Sequence, residues 1–469
     1  MGKRILSILI VICALAGICF VGFSGMQVGE EEEQERDMLS FRKKETIYFW
    51  YSDSSMTDYL SSAAVAFGEL HEDARVIPHL VSDSEYLEAV NAASLSGEQM
   101  PDVYLLSNDS LGKAYLAGLA SRIEDEAGLC TTEHFPQTAL SAVTYKDRLV
   151  AYPYYYETSA LLYNKTYLEA WTAAQLASQG EEEEDEPIQI EEGEGEGEDD
   201  GEIADEGERL TVTQQQIEAG IPSNMDELLA FADNYDATEN GEDVLKWAVS
   251  DIFYNYYFVG QYMIVGGECG DDENNINIAN EEAKRCLEIY QALNQFFYID
   301  AEEATYDSVL EEFIEGKLVF TVVTPDAVAV MEEARESGAF AYEYGIAVMP
   351  KPSAQLGGRS LSVTNSVVVN GYSQHKELAN EFAAFVTGEY VENLYARTGK
   401  LSANLSANTQ DSNLMAFMKE YQNSISLPKM LETSNYWMQL EAVFARVWVG
   451  EDVETLLQAL AQQIRSQFE

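Results

Sequence analysis

The stretch Tyr152–Lys165, YPYYYETSALLYNK, contains five tyrosines, one proline and a single acidic residue, Glu157. Pro153 is expected to interrupt regular structure near the start, because proline lacks a backbone donor. Residues 160–163 form an apolar run typical of a short buried strand, and Asn164–Lys165 is expected to close it as a turn. Tyrosine is intermediate in burial, so the stretch is compatible both with a packed core crossing and with the lining of a cleft.

Strand and helix patterns alternate along the residues that precede this stretch. Short β-type runs at 47–51, 75–81 and 102–106 are followed by helical apolar spacing at 57–72, 84–94 and 111–119. This alternation predicts parallel βαβ units and an α/β fold. Ligands of such folds bind beyond the carboxyl ends of the strands, where this chain has Asp53, Asn108 and Asp109. The two aspartates are equally suited to cap the helices that follow them.

The same patterns continue beyond the stretch. Helices are predicted at 225–235, 280–297, 305–315, 376–387 and 453–466, and strands at 318–323, 344–349 and 362–370. Ser223 or Asn224 is suited to cap the first of these helices.

The charge of the chain restricts its partners. Its 469 residues include 27 Lys and Arg against 82 Asp and Glu, which gives a formal net charge of -55. Phosphate binding requires clustered cations, so this composition argues against a nucleic-acid partner and disfavours docking on anionic lipid. At this length more than one lobe is expected.

The N-terminal residues predict export. Two basic residues precede an uncharged run from Ile5 to Phe23, which is long for a signal peptide and just long enough to cross a bilayer. We assign residues 1–25 to a signal segment or membrane anchor and residues 26–45 to a polar linker. Cys19 is a candidate lipidation site, although Ile18 stands where a lipoprotein signal has a small residue. Each alternative places the residues after the linker, which we call the exported body, at the outer face of the membrane or in the secreted or periplasmic space.

The residues from Trp171 to Glu208 differ from the rest of the body. Seventeen acidic residues and no aromatic residue fall between Glu181 and Glu208. Such a segment cannot bury enough apolar surface to fold, so we predict a disordered acidic insertion at about 178–209. The acidic residues of this insertion do not have the ligand spacing of a calcium-binding loop. The segment 236–247 is not such a loop either, because Trp247 occupies the position of the acidic residue that would bind calcium through both carboxylate oxygens.

The cysteines give no sign of a metal or redox centre. Cys130, Cys269 and Cys286 are far apart in the sequence, without a C-x-x-C pair or nearby histidines. One disulfide among them is compatible with export, and buried thiols are the simpler interpretation. We predict no metal site and no cofactor.

Several segments occur in the order and spacing of one protein family. They are IYFWYSD from Ile47, GEQMPDVYLLSND from Gly97, the tyrosine-rich stretch itself, FIEGKLVFTVVTPDA from Phe313, YGIAVMPKP from Tyr344 and VWVGEDVETLLQAL from Val447. In this order the chain resembles the extracellular solute-binding proteins of ABC importers, specifically the carbohydrate-binding branch that includes maltose-binding protein. The resemblance covers about Glu45 to Glu469.

This resemblance implies a two-lobed α/β fold of the periplasmic-binding-protein type, with hinge strands between the lobes and an interlobe ligand cleft. Lobe one would comprise residues 46–155 and 351–402. Lobe two would comprise residues 156–350, and the C-terminal helices at 403–469 would mainly join it. The tyrosine-rich stretch would be the hinge.

The resemblance also implies a set of ligand-binding residues. Sugars are held by aromatic faces and by planar polar groups that bond their hydroxyls. The expected ligand-binding residues are Asp53, Asn108, Asp109, Glu157, Tyr254, Asn255, Tyr256, Asp326 and Trp437. Asp326 falls where the family has a second stacking tryptophan, which removes one aromatic face and adds a charge. Trp50 is expected to pack in the core, because aromatic residues in strands mostly pack.

These implications predict the substrate-binding component of an ABC transporter. It would be a monomer without enzymatic activity that captures a carbohydrate, in particular an oligosaccharide, and delivers it to a membrane permease. Two alternatives stay open. A polyamine, a peptide or another non-sugar solute would suit the surplus of acids. A glycoside-processing enzyme would need two carboxyl groups at a defined separation, and no motif in this sequence identifies such a pair.

Overall fold

The computed structural model of the protein describes residues 44–81, 85–97, 99–183, 212–235, 243–407 and 411–468. Cys19, the proposed signal segment or anchor, nearly all of the linker and residues 184–209 of the predicted acidic insertion lie outside the described residues. Residues Thr46–Glu469 form a compact unit. No helix among the described residues has the length and apolar character that crossing a membrane requires.

The strands form two principal sheets. In chain order the described strands are β1 (Glu45–Tyr51), β2 (Ala74–Leu80), β3 (Val103–Ser107), β4 (Thr144–Tyr145), β5 (Arg148–Leu149), β6 (Tyr152–Thr158), β7 (Ala160–Asn164), β8 (Asp243–Leu245), β9 (Ile264–Val265), β10 (Ile276–Asn277), β11 (Leu318–Val323), β12 (Tyr344–Ala347), β13 (Leu361–Val369), β14 (Leu401–Ser402) and β15 (Ile425–Ser426). The larger sheet has the order β14-β6-β13-β3-β1-β2, with β15 paired to β13. The smaller sheet has the order β12-β7-β11-β8.

Helices alternate with these strands. The described helices are α1 (Thr57–Leu70), α2 (Tyr86–Ser96), α3 (Leu111–Leu116), α4 (Gln137–Ala142), α5 (Lys165–Glu183), α6 (Gln214–Ala219), α7 (Met225–Asn234), α8 (Ile252–Asn255), α9 (Glu281–Phe297), α10 (Tyr306–Ile314), α11 (Asp326–Ser337), α12 (Lys376–Gly388), α13 (Leu394–Thr398), α14 (Ser412–Asn423), α15 (Tyr436–Trp448) and α16 (Val453–Arg465). The predicted helices are confirmed to within a few residues at their ends. Asn224 caps α7, because its side chain accepts a hydrogen bond from the backbone N–H of Glu227.

The tyrosine-rich stretch passes from one sheet to the other. Its first half, β6, pairs with β13 and β14 in the larger sheet, whereas β7 pairs with β11 and β12 in the smaller sheet. Only Ser159 separates β6 from β7. A second passage runs in the opposite sense, because β12 belongs to the smaller sheet and β13 belongs to the larger one. These two passages produce the two-lobed α/β fold that the resemblance implied.

Two local predictions in this stretch are wrong. Pro153 does not interrupt the strand, since β6 begins at Tyr152 and runs through the proline. The pairing with β13 instead shifts register just after Pro153, as in a β-bulge, and bulges are among the few places where a sheet tolerates proline. Asn164–Lys165 is not a turn, because Asn164 ends β7 and Lys165 begins α5. The Asn164 side chain accepts a hydrogen bond from the backbone N–H of Tyr167 at 3.2 Å, which helps to start that helix.

The helix α5 continues to Glu183, so the first residues of the range 178–209, where the disordered insertion was predicted, are helical. The ring of Trp171 lies 4.6 Å from the ring of Phe231, so this helix packs against α7.

Cys130, Cys269 and Cys286 are free thiols. Cys286 is buried and the other two are half-buried, which confirms the simpler interpretation for Cys286 alone.

The larger sheet is covered on both faces. Along β13, Val367 and Val369 pack into one apolar cluster with Phe49 of β1, while Val368 packs into another cluster with Tyr104 of β3. Trp50 is half-buried against the second cluster, in agreement with the expected core position. A sheet that is covered on both faces leaves its strand ends and the flanking loops to bind ligands.

Candidate functional site

Asp53 and Asp109 follow two strands that end at the same edge of the larger sheet. β1 and β3 are parallel neighbours, and Phe49 is paired with Val103. Their carboxyl ends therefore meet, as the alternation of strands and helices predicted. A hollow of about 310 Å³ is lined here by residues that include Ser52, Asp53, Tyr86, Glu88, Ser107, Ser110, Lys113, Tyr155 and Asn365.

Asp53 caps the short 3₁₀ turn Ser54–Met56. Its Oδ1 accepts hydrogen bonds from the Ser55 backbone N–H at 2.9 Å and from the Ser55 hydroxyl at 2.7 Å. Its Oδ2 lies 3.3 Å from the Nζ of Lys400. Partial burial opposes ionisation, but the bonds from Ser55 and the charge of Lys400 outweigh it, so the pKa of Asp53 lies below its ordinary value. Asp53 is therefore a carboxylate at neutral pH.

Glu157 near the end of β6 shares the same lysine. The Nζ of Lys400 donates to Glu157 Oε1 at 3.0 Å and lies 5.7 Å from the centre of the Tyr155 ring. Burial opposes the charge of Lys400, but Glu157 and Asp53 together raise its pKa above the ordinary value. Lys400 was not among the predicted site residues. The structure thus joins two predicted acids through one cation, which we call the Lys400 cluster (Asp53, Glu157, Lys400).

Asp109 and Trp437 line a second hollow of about 260 Å³. Its other lining residues are Ser110, Lys113, Leu427, Pro428, Lys429, Met430, Leu431, Thr433, Ser434 and Tyr436. Ser110 and Lys113 line both hollows, so the two hollows adjoin. The Trp437 ring is half-buried, 5.6 Å from the Tyr256 ring and tilted to it by 38°. Asp109 is exposed and accepts a hydrogen bond from the Ser107 hydroxyl, and among the described residues no cap bond joins Asp109 to the helix that follows.

Asn108 and Asn255 are fully buried, and both amide groups are engaged inside the protein. Asn108 accepts from the Thr364 N–H at 2.9 Å and donates to the Leu427 carbonyl at 3.4 Å. Asn255 accepts from the Trp247 indole N–H at 2.8 Å and donates to two backbone carbonyls. These bonds favour a supporting role for the two amides over direct contact with a ligand.

Tyr254 and Asp326 belong to a third group. The Tyr254 ring stacks on the Tyr306 ring, with centroids 5.4 Å apart and 5° between the ring planes. The Tyr306 hydroxyl donates to Asp326 Oδ2 at 3.2 Å, and the Thr324 hydroxyl bonds the other oxygen of this exposed carboxylate. Within the described ranges no hydrogen bond joins this group to the Lys400 cluster or to Trp437. The nine predicted residues therefore fall into separate groups, and two of them are buried amides.

The two adjoining hollows offer carboxylates, lysines and aromatic faces. Lys113 forms an ion pair with Glu88 at their shared wall. In the described part of the chain, no three His, Cys, Asp or Glu side chains are placed to hold a metal ion. The arrangement is suited to bind hydroxyl groups at the carboxylates and apolar C–H faces at the aromatic rings.

The sequence from residue 62 to residue 428 matches the family model described as bacterial extracellular solute-binding protein. No curated protein matches this chain in sequence. Solved structures of similar fold include the extracellular solute-binding protein from Staphylococcus aureus in complex with maltose. It is 17% identical, with a TM-score of 0.69 over 90% of this chain and 97% of that chain.

Two further structures are similar to the same extent. A cyclo/maltodextrin-binding protein complexed with maltotetraose is 18% identical, with a TM-score of 0.69 over 91% of this chain and 98% of that chain. The maltose-binding periplasmic protein from Listeria monocytogenes in complex with maltose is 19% identical, with a TM-score of 0.67 over 90% of this chain and 97% of that chain. At these identities the likeness establishes the two-lobed fold.

Proposed function

Because this chain belongs to the bacterial extracellular solute-binding protein family, we propose that it captures a carbohydrate between its lobes and delivers it to an ABC permease. The proposed ligand is an oligosaccharide. The three similar structures described above were solved with maltose or maltotetraose, which supports a ligand of this class.

The observation that carries the proposal is the hollow shared by Asp109 and Trp437. A pyranose ring has apolar C–H faces and a rim of hydroxyl groups. The half-buried Trp437 ring offers a stacking face, and the exposed Asp109 carboxylate offers two acceptors for hydroxyl protons. The adjoining hollow, with Asp53 and Tyr155 in its wall, would accommodate a further sugar unit.

We assign direct contacts with the ligand to Asp53, Asp109, Glu157 and Trp437. Tyr256 would support the Trp437 ring from behind, and Asn108 and Asn255 would fix the surrounding backbone. Only a longer ligand would reach Tyr254 and Asp326, because these residues belong to the separate group around Tyr306.

The proposed protein binds its ligand and releases it unchanged. It acts as a monomer outside the cell, and residues 1–25 or a lipid on Cys19 would hold it at the membrane. A cationic solute is the second candidate, since the site contains several carboxylates. Lys400 counts against this candidate, because its ammonium group already lies between two of them.

Isothermal titration calorimetry on the exported body tests the proposal. Maltose, maltotetraose and a panel of other neutral oligosaccharides would be compared with spermidine. Saturable heat with a neutral oligosaccharide, followed by recovery of the unaltered sugar by mass spectrometry, supports the proposal. Heat with spermidine alone would overturn it in favour of the cationic solute, and a shortened sugar would indicate an enzyme.

A further inference from the structure

Lys400 is a largely buried cation beside Asp53 and Tyr155, two residues that line the first hollow of the candidate site. Its Nζ lies 3.0 Å from Glu157 Oε1 and 3.3 Å from Asp53 Oδ2, and its side chain is only 24% exposed. The ring of Tyr155, which lines the hollow together with Asp53, is 5.7 Å from the same nitrogen. The ammonium group therefore has two carboxylates and one aromatic ring around it.

Two carboxylates beside an aromatic ring are the groups that recognise an organic cation. The carboxylates supply charge-assisted hydrogen bonds, and the ring face attracts a positive charge. Without Lys400, Asp53, Glu157 and Tyr155 would form such a site for a ligand amine. The protein fills this position with a side chain of its own.

The backbone around Lys400 is fixed, so the ammonium group is a built-in part of the site. Gly399 ends α13 with a positive φ of 70°, and the Lys400 N–H donates to the Thr398 hydroxyl at 3.1 Å. The next residue, Leu401, pairs with Tyr156 of β6. Lys400 is thereby anchored on both sides along the chain.

We propose that Lys400 sets the charge selectivity of the cleft, by occupying the place of a ligand cation between Asp53 and Glu157 and so reserving the site for neutral, hydroxyl-rich ligands. This inference rests on the proposed carbohydrate function and adds a residue that decides between its ligand classes. A cationic ligand would have to displace a paired and largely buried ammonium group. A neutral sugar would bond the carboxylate oxygens that face the cleft and leave Lys400 in place.

The test compares three probes on the full exported body, measured by calorimetry. The probes are maltotetraose, the fully deacetylated glucosamine tetramer, which is cationic, and spermidine. Lys400→Met removes the charge and keeps most of the aliphatic stem, while Lys400→Arg keeps the charge. We expect Lys400→Met to gain at least tenfold in affinity for the two cationic probes relative to the wild type, and Lys400→Arg to show no gain.

Lys246 is the matched control. Its side chain is 22% exposed and pairs with Glu312 at 2.7 Å, outside both hollows of the site. Lys246→Met therefore changes the net charge equally and breaks a comparable ion pair. An equal gain in affinity for the cationic probes in Lys246→Met would overturn the inference, because the change in net charge alone would then explain the gain.

The remaining outcomes separate this inference from the proposed function. If the wild type binds maltotetraose and the Lys400→Met variant gains no affinity for either cationic probe, the inference about Lys400 is overturned and the proposed function is not. A wild type that binds no sugar of the neutral oligosaccharide panel described under the proposed function refutes that function, while a gain in affinity for cations that is specific to Lys400→Met still supports the lysine as the internal cation. Should Lys400→Met fail to fold, Lys400→Gln, which can still donate to Glu157, makes the same comparison.

Discussion

The ring of Tyr421 lies parallel to the ring of Tyr156, with centroids 3.7 Å apart and 1° between the ring planes. Tyr156 belongs to β6, which leads from the larger sheet towards the smaller one, and Tyr421 belongs to α14. The Tyr421 hydroxyl also lies 2.8 Å from the Thr364 hydroxyl of β13. One side chain of α14 therefore holds two neighbouring strands of the larger sheet beside the passage between the lobes.

The two tyrosines should respond differently to loss of their hydroxyl groups. Tyr421→Phe leaves the buried Thr364 hydroxyl without its partner and should lower the free energy of unfolding by about 1–2 kcal/mol. The Tyr156 hydroxyl is buried and has no hydrogen-bond partner within the described residues, so Tyr156→Phe should be neutral or stabilising. Urea unfolding of the two variants measures the difference. Equal losses would contradict this assignment of the bonds.

Trp437 should be the main stacking residue for the ligand. We expect Trp437→Ala to weaken binding of a cognate oligosaccharide at least tenfold, about 1.4 kcal/mol, because a stacking contact of this kind is lost. Met438, its neighbour on α15, is 64% exposed and does not line the hollow, so Met438→Ala is the matched control. Calorimetry gives both dissociation constants. An unchanged constant for Trp437→Ala would remove this residue from the site.

Local patterns predicted most of the fold. Strands with β-type composition, helices with apolar spacing and the cap at Asn224 are properties of neighbouring residues, so the sequence alone reveals them. The errors also have local causes. Pro153 was expected to break a strand, but the register shift beside it accommodates the ring. Asn164 was interpreted as part of a turn, although its side chain also suits the start of a helix.

The site was harder to predict, because its contacts join distant parts of the chain. Lys400 and Glu157 are 243 residues apart in sequence, and no local pattern pairs them. Asn255 was expected in the cleft by position, yet its amide is bonded to the Trp247 indole and to backbone carbonyls. The positions of Asp53 and Asp109 followed from the parallel pairing of β1 and β3, which the alternation of strands and helices did predict.

Removing the acidic segment should leave the folded body nearly unchanged. Deletion of residues 184–208 should shift Tm by less than about 3 °C, since its composition cannot bury enough apolar surface to contribute much stability. A longer deletion that begins at Trp171 should destabilise strongly, because the contact of Trp171 with Phe231 is lost. Calorimetric unfolding of both deletions is the measurement. A large loss of Tm or of ligand affinity in the shorter deletion would show that the segment takes part in the fold.

Glu420 should make stability depend on pH. This buried carboxyl group accepts from the backbone N–H of Met349, just after β12, and from the Ser360 hydroxyl, just before β13. Burial raises its pKa to about 7, although the hydrogen bonds from Ser360 and Met349 oppose the increase. The folded state therefore binds more protons than the unfolded state between about pH 4.5, the ordinary pKa of the group, and about pH 7, its raised pKa.

The stability that Glu420 contributes should accordingly be complete below about pH 4.5 and decline as the pH rises through 7. Glu420→Gln cannot ionise, so the free energy of unfolding of the wild type minus that of this variant should fall over this range by a few kcal/mol, on the order of 1.4 kcal/mol for each unit of pKa shift. Urea unfolding at half-unit pH intervals measures this difference. Lys419→Gln, next to it on α14, controls for the loss of a charge, and its difference from the wild type should stay flat. A difference for Glu420→Gln that is flat or rises with pH would contradict the raised pKa, and Glu420 would then be an ordinary carboxylate throughout this range.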